Sequence, residues 1–170
     1  NLTFAQDAVI TVETVNTDVV VDPGGFWTGH NIAVHGRISA LLQKDQMTGV
    51  NGLLSSTGVY VSSTGVVNVS GQKVARGAAI QGGDYGTVVD GTVECSHYQW
   101  GDAGGCIAAG KNFTSGPSSV LIARHATGSD TAGLVNTGDV GYLSGKVIAD
   151  RLNCTDDSGA VISGGNITLH

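Results

Sequence analysis

Thr57-Gly-Val-Tyr-Val-Ser-Ser-Thr-Gly-Val-Val-Asn-Val-Ser-Gly71 is the stretch on which the fold turns. Thr57-Gly58, Thr64-Gly65 and Ser70-Gly71 are turn signals, and two short β-branched runs, 59–61 and 66–69, lie between them. Glycine supplies the backbone angles that tight turns need, and β-branched side chains suit a pleated surface. The stretch therefore reads as strand, turn, strand, turn. The punctuation continues on both sides at Asn51-Gly52, Gly82-Gly83 and Asp90-Gly91. Further strands are predicted at 73–80, 87–89, 92–95, 120–123, 140–143, 146–149, 161–163 and 167–169. No segment holds a helical period, so the chain reads as all-β.

Two segments nearer the N-terminus add detail. In 31–42, Ile32, Val34, Ile38, Ala40 and Leu42 fall on one face and Ala33, His35, Arg37 and Ser39 on the other, with Gly36 between. This predicts a half-buried strand, with a short helix over 39–47 as its rival. Residues 8–21 hold no Gly or Pro. There Ile10 and Val12 share one face, and Val15, Val19 and Val21 share the opposite one, which predicts a bend between the two sets. Asp22-Pro23-Gly24-Gly25 ends the run. The expected organisation is an extended strand in residues 1–25 followed by a single β domain in 26–170.

Two architectures suit these strands: a β-sandwich or jelly roll with an extended N-terminal strand, and a β-solenoid. The opening stretch, from Gly58 to Val67-Asn68-Val69, resembles the β coils in the secretion domain of filamentous-haemagglutinin-type adhesins, with Thr57 where those coils have asparagine. That resemblance implies a solenoid. A solenoid should also repeat at a fixed period, and none is legible along the chain, so the sandwich is the expected fold.

The composition bounds function. Charged residues are 13% of the chain and the net charge is −6, whereas soluble domains average about 25% charged. The eight Lys and Arg form no cluster, which excludes a phosphate-tracking nucleic-acid surface. No apolar run approaches the ~18 residues of a membrane span. The opening Asn, with no basic or apolar leader after it, reads as a processed chain.

Cys95 and Cys106 bracket ten residues, which predicts a disulfide across a hairpin or loop and an oxidising compartment. Cys154 is left over. Five Asn-x-Ser/Thr triplets begin at Asn1, Asn68, Asn112, Asn153 and Asn166, and nine asparagines in a chain this rich in Ser and Thr would yield roughly two by chance. They are candidate glycosylation sites. The expected location is extracellular, at a cell or virion surface.

No residue pattern supports catalysis. Gly101-Asp102-Ala103-Gly104-Gly105 resembles the nucleophile segment of chymotrypsin-like proteases, but Ala103 stands where the serine belongs and cannot attack a carbonyl. No histidine pair among His30, His35, His97, His125 and His170 has metal-ligand spacing. Ca²⁺ is the candidate cofactor, with Asp156 and Asp157 as ligands in an Asp-rich turn. Trp27, Trp100, Tyr60, Tyr85, Tyr98 and Tyr142 are candidates for a sugar-stacking platform.

The remaining expectation is a non-enzymatic structural subunit that polymerises with copies of itself by β-strand addition. Ile10, Val12, Val15, Val19 and Val21 would be the inserted residues. In layout the chain resembles donor-strand filament subunits, such as bacterial chaperone–usher pilins and archaeal thread and cannula proteins. The cannula likeness implies Ca²⁺ at or between subunits. The alternative is a receptor- or carbohydrate-binding module of a tail fibre, virion surface or adhesin, with glycans as partners.

Overall fold

The structure, a computed structural model, describes residues 1–14, 26–42, 52–71, 78–96, 99–100, 105–124, 127–128, 133–150, 153–154, 159–163 and 165–170. The first coil carries β1 (Leu2–Phe4), β2 (Val9–Thr14) and β3 (Phe26–Trp27), and the second opens with β4 (Asn31–Val34) and β5 (Arg37–Leu42). β6 (Gly52–Val61) closes the second coil and opens the third, which continues with β7 (Val66–Gly71). β8 (Ala78–Val89) runs on into the fourth, with β9 (Thr92–Ser96), β10 (Gln99–Trp100) and β11 (Gly105–Ala109). The fifth holds β12 (Phe113–Ser115), β13 (Val120–Arg124), β14 (Thr127–Gly128) and β15 (Gly133–Thr137). The sixth holds β16 (Gly141–Leu143), β17 (Lys146–Asp150), β18 (Asn153–Cys154) and β19 (Gly159–Ser163), and β20 (Ile167–Leu169) begins a seventh.

Every strand pair among the described residues is parallel, and each strand lies on the one a coil earlier. The fold is a β-solenoid. This corrects the sandwich expectation, because sandwiches and jelly rolls are built from antiparallel neighbours. The repeat is real but uneven. Thr87 pairs with Phe113, 26 residues on, whereas Leu2 pairs with Ile32, 30 residues on. Corners of varying length hide the period from inspection of the letters.

Three walls enclose the core. The first stacks β1, β4, the second half of β6, the second half of β8, β12, β16 and β20; the second stacks β2, β5, β7, β9, β13 and β17. The third stacks β3, the first halves of β6 and β8, β11, β15 and β19, and β10, β14 and β18 form a short separate ladder. Strand side chains alternate in direction, and in-register stacking sends the same alternate positions inward in every coil. On the first wall Ile32, Val59, Thr87 and Phe113 form one buried column and Val34, Val61, Val89 and Ser115 the next. On the second, Ile38, Val67, Val93 and Leu121 form another. The predicted strand over 31–42 is two strands around a corner at Gly36. The alternation survives because the two-residue corner, His35-Gly36, preserves its parity, so Ile32, Val34, Ile38 and Ala40 are all buried. The rival helix is not formed over its described part, 39–42, which is strand.

Glycine fills the corner between the first two walls. The carbonyls of Gly36, Gly65 and Gly91 accept the amides of Val66, Thr92 and Val120, each one coil later. A Cβ on Gly91 would collide with the carbonyl oxygens of Ser62 and Gly65. At Gly145 a backbone φ of 85° adds the conformational reason for glycine.

Cys95 and Cys106 are disulfide-bonded, with Cα atoms 5.8 Å apart. Both are fully buried, Cys95 on the inward column of the second wall and Cys106 on β11 of the third. The bond, expected from the spacing across a hairpin or loop, ties two walls of one coil through the interior. Closing this short segment restricts the unfolded chain, so the double variant Cys95→Ala/Cys106→Ala is expected to lose about 2–3 kcal/mol in urea unfolding.

Candidate functional site

Ile10 and Val12 lie on β2, in parallel register with Ile38 and Ala40 of β5 in the same chain, and pack against its core. The segment expected to leave its domain is thus the first strand of the second wall. Val15, Val19 and Val21 lie outside the described residues, as do Asp102, Ala103, Asp156 and Asp157. Among the described residues no three His, Cys, Asp or Glu side chains converge as a metal site.

Three asparagines of the Asn-x-Thr triplets share one structural position. Because Leu2, Ile32, Val59, Thr87, Phe113, Gly141 and Ile167 form one column, the residues before them also stack. Asn1, Asn31, Gly58, Gly86, Asn112, Val140 and Asn166 therefore line a single corner, and the Asn1 side chain accepts the Asn31 amide at 3.3 Å. In each triplet the middle residue enters the inward column and the Thr faces out, so the coil geometry by itself favours this pattern. Asn1, Asn112 and Asn166 are exposed there. Asn68 differs: it sits half-buried on the outer face of β7 between Ser39 and Glu94, and its Oδ1 is buried without a hydrogen-bond partner. Asn153 lies on β18, and its side chain is outside the described set.

Of the aromatic candidates, Tyr60 and Tyr142 stand on the outer face of the first wall. Tyr60 meets the His35 ring edge-on at 6.0 Å. Partial desolvation, then the charge and hydrogen bond of Asp90, raise its phenol above the ordinary value of 10.0. Tyr98 and the side chains of Trp27 and Trp100 fall outside the described set.

The strands also build a cleft that the sequence did not disclose. Ser56 pairs with Gly82 and Gly58 pairs with Gly86, so a single residue of β6, Thr57, faces three of β8, Gly83, Asp84 and Tyr85. The surplus bulges outward. Beside it lies a cleft of about 300 Å³ lined by Thr28, Gly29, Ser56, Thr57, Gln81, Gly82, Gly83 and Asp84. Lys111 Nζ lies 3.9 Å from the Asp84 carboxylate, both largely exposed, a pair worth at most about 1 kcal/mol. Gly82-Gly83-Asp84 reads as an ordinary turn, and its excess length shows only against the neighbouring coils.

The two ends of the stack form a second feature. β1 and β2 are the outermost strands of their walls at one end, and β20, β17 and β19 at the other. At the latter end the inward columns are bare: Val147 follows buried Leu121 and Leu169 follows buried Leu143, yet they are 38% and 74% exposed.

No family model, curated protein or solved structure matches the chain.

Proposed function

We infer that this chain is a structural subunit of an extracellular assembly whose neighbours join by β-strand addition at the ends of the solenoid. The supporting observation is the bare inward columns of the last coil. Val147, Ile167 and Leu169 occupy positions that every interior coil buries, beside strand edges that template another parallel strand. A second copy is the fitting occupant, because continuing the first wall in register sets Leu2 over Ile167 and Phe4 over Leu169. Such head-to-tail contact does not close, so it propagates as a filament. The interior disulfide fits an oxidising compartment. Glycans on Asn1, Asn112 and Asn166 would stand along one corner of the stack.

Negative-stain electron microscopy and sedimentation velocity, with millimolar Ca²⁺ and with chelator, test this. The wild-type chain is expected to form rods many times the length of one subunit. Val147→Lys/Leu169→Lys is expected to stay monomeric with an unchanged far-UV spectrum, because two charges would be buried against apolar columns. Uniform single particles from the wild-type chain at high concentration in both conditions would refute end-to-end addition.

A further inference from the structure

Buried hydroxyls in this molecule are normally paired inside the chain. Ser115 Oγ donates to the Ser144 carbonyl at 2.8 Å, Ser119 Oγ to the same carbonyl at 3.0 Å, and Thr137 Oγ1 to the Lys111 carbonyl at 2.6 Å. Ser62 Oγ meets Thr64 Oγ1 at 3.2 Å. Four buried side-chain oxygens among the described residues break the pattern: Thr57 Oγ1, Asn68 Oδ1, Gln81 Oε1 and Thr87 Oγ1. Two of the four belong to residues that line the cleft, Thr57 and Gln81. An unsatisfied buried polar group costs about 1–3 kcal/mol, so two on the wall of one cleft are unexpected unless the cleft receives a partner for them.

We propose that this cleft binds a neutral saccharide. The lining chemistry selects that class. A sugar hydroxyl both donates and accepts, which suits the Thr57 hydroxyl in either role and supplies the donor that Gln81 Oε1 needs. Asp84, at the mouth, accepts from further hydroxyls. Tyr85, the next residue on the bulge and 80% exposed, offers its ring to the apolar face of a pyranose. Gly29, Gly82 and Gly83 leave the backbone bare for close approach. An anion would meet the Asp84 carboxylate and the acceptor-only Gln81 oxygen. A divalent cation would find a single carboxylate, one that Lys111 already faces.

The site is separate from the ends of the stack, so its test is independent of polymerisation. Saturation-transfer difference NMR on the full chain, with glucose, galactose, mannose, fucose and N-acetylglucosamine and short oligomers of each, is the experiment. At least one sugar is expected to show transfer at millimolar concentration. Its affinity is expected to fall about tenfold or more in Asp84→Asn and in Tyr85→Ala, with Tyr142→Ala as the unchanged control. Both altered side chains are exposed, so the variants are expected to fold, checked by circular dichroism. Transfer from none of the sugars, transfer that survives both substitutions, or transfer abolished by chelator would each overturn the proposal.

Discussion

Gly91→Ala is expected to destabilise the solenoid by about 3 kcal/mol or more, with a fall in melting temperature of roughly 6–12 °C. The added methyl group would lie within the van der Waals radii of two carbonyl oxygens, those of Ser62 and Gly65. Neither oxygen is the end of a flexible side chain. Both belong to the corner that links the first two walls, where Gly65 accepts the Thr92 amide and Gly91 accepts the Val120 amide. The corner cannot open without breaking the ladder on both sides of it. Gly29→Ala is the matched control, since a Cβ there meets no atom within 4 Å; its melting temperature is expected to stay within about 2 °C of wild type. Thermal melts followed by circular dichroism compare the two. Equal melts would mean that the corner is far more yielding than its packing implies.

Phe113→Ala is expected to cost about 3–5 kcal/mol, read as a shift of the urea midpoint at constant slope. Phe113 is the bulkiest fully buried side chain among the described residues and stands inside the stack, between Thr87 of the coil before and Gly141 of the coil after. In that small-large-small sequence neither neighbour in the column carries a bulky side chain to fill the void. Gly141 has none, and Thr87 is already pressed toward Gly82. Tyr142→Ala, one residue along the next coil on the outer face, is the control, expected within about 0.5 kcal/mol. A loss at Phe113 no greater than that at Tyr142 would show that the first-wall column is not the centre of the core.

The contrast between those two aromatics shows what was legible beforehand. Phe113 sits in a three-residue strand, Phe-Thr-Ser, and Tyr142 in another, Gly-Tyr-Leu, and runs so short do not say which ring faces in. Alternation was readable within a strand: Ile32, Val34, Ile38 and Ala40 were assigned one face, and all four are buried. The relation of one strand to the next was not. A residue's partner lies 26 to 30 positions away, and the interval shifts with each corner. The unpaired oxygens of Thr57 and Gln81 come from two different strands, and the Asp84–Tyr85 bulge is surplus only relative to the coil beneath it. The cleft was therefore invisible in the linear order.

By itself the sequence determined that the chain is built of short strands broken at glycine corners, that it carries a Cys95–Cys106 bond, and that its eight Lys and Arg form no run. Those properties follow from local backbone preference, from spacing and from charge count. The tertiary structure alone decided that the strands pair in parallel rather than antiparallel, that the disulfide crosses the interior, and that the asparagines of three triplets share one corner. Strand alternation has the same period of two in a sandwich and in a solenoid, so only the long-range register distinguishes them.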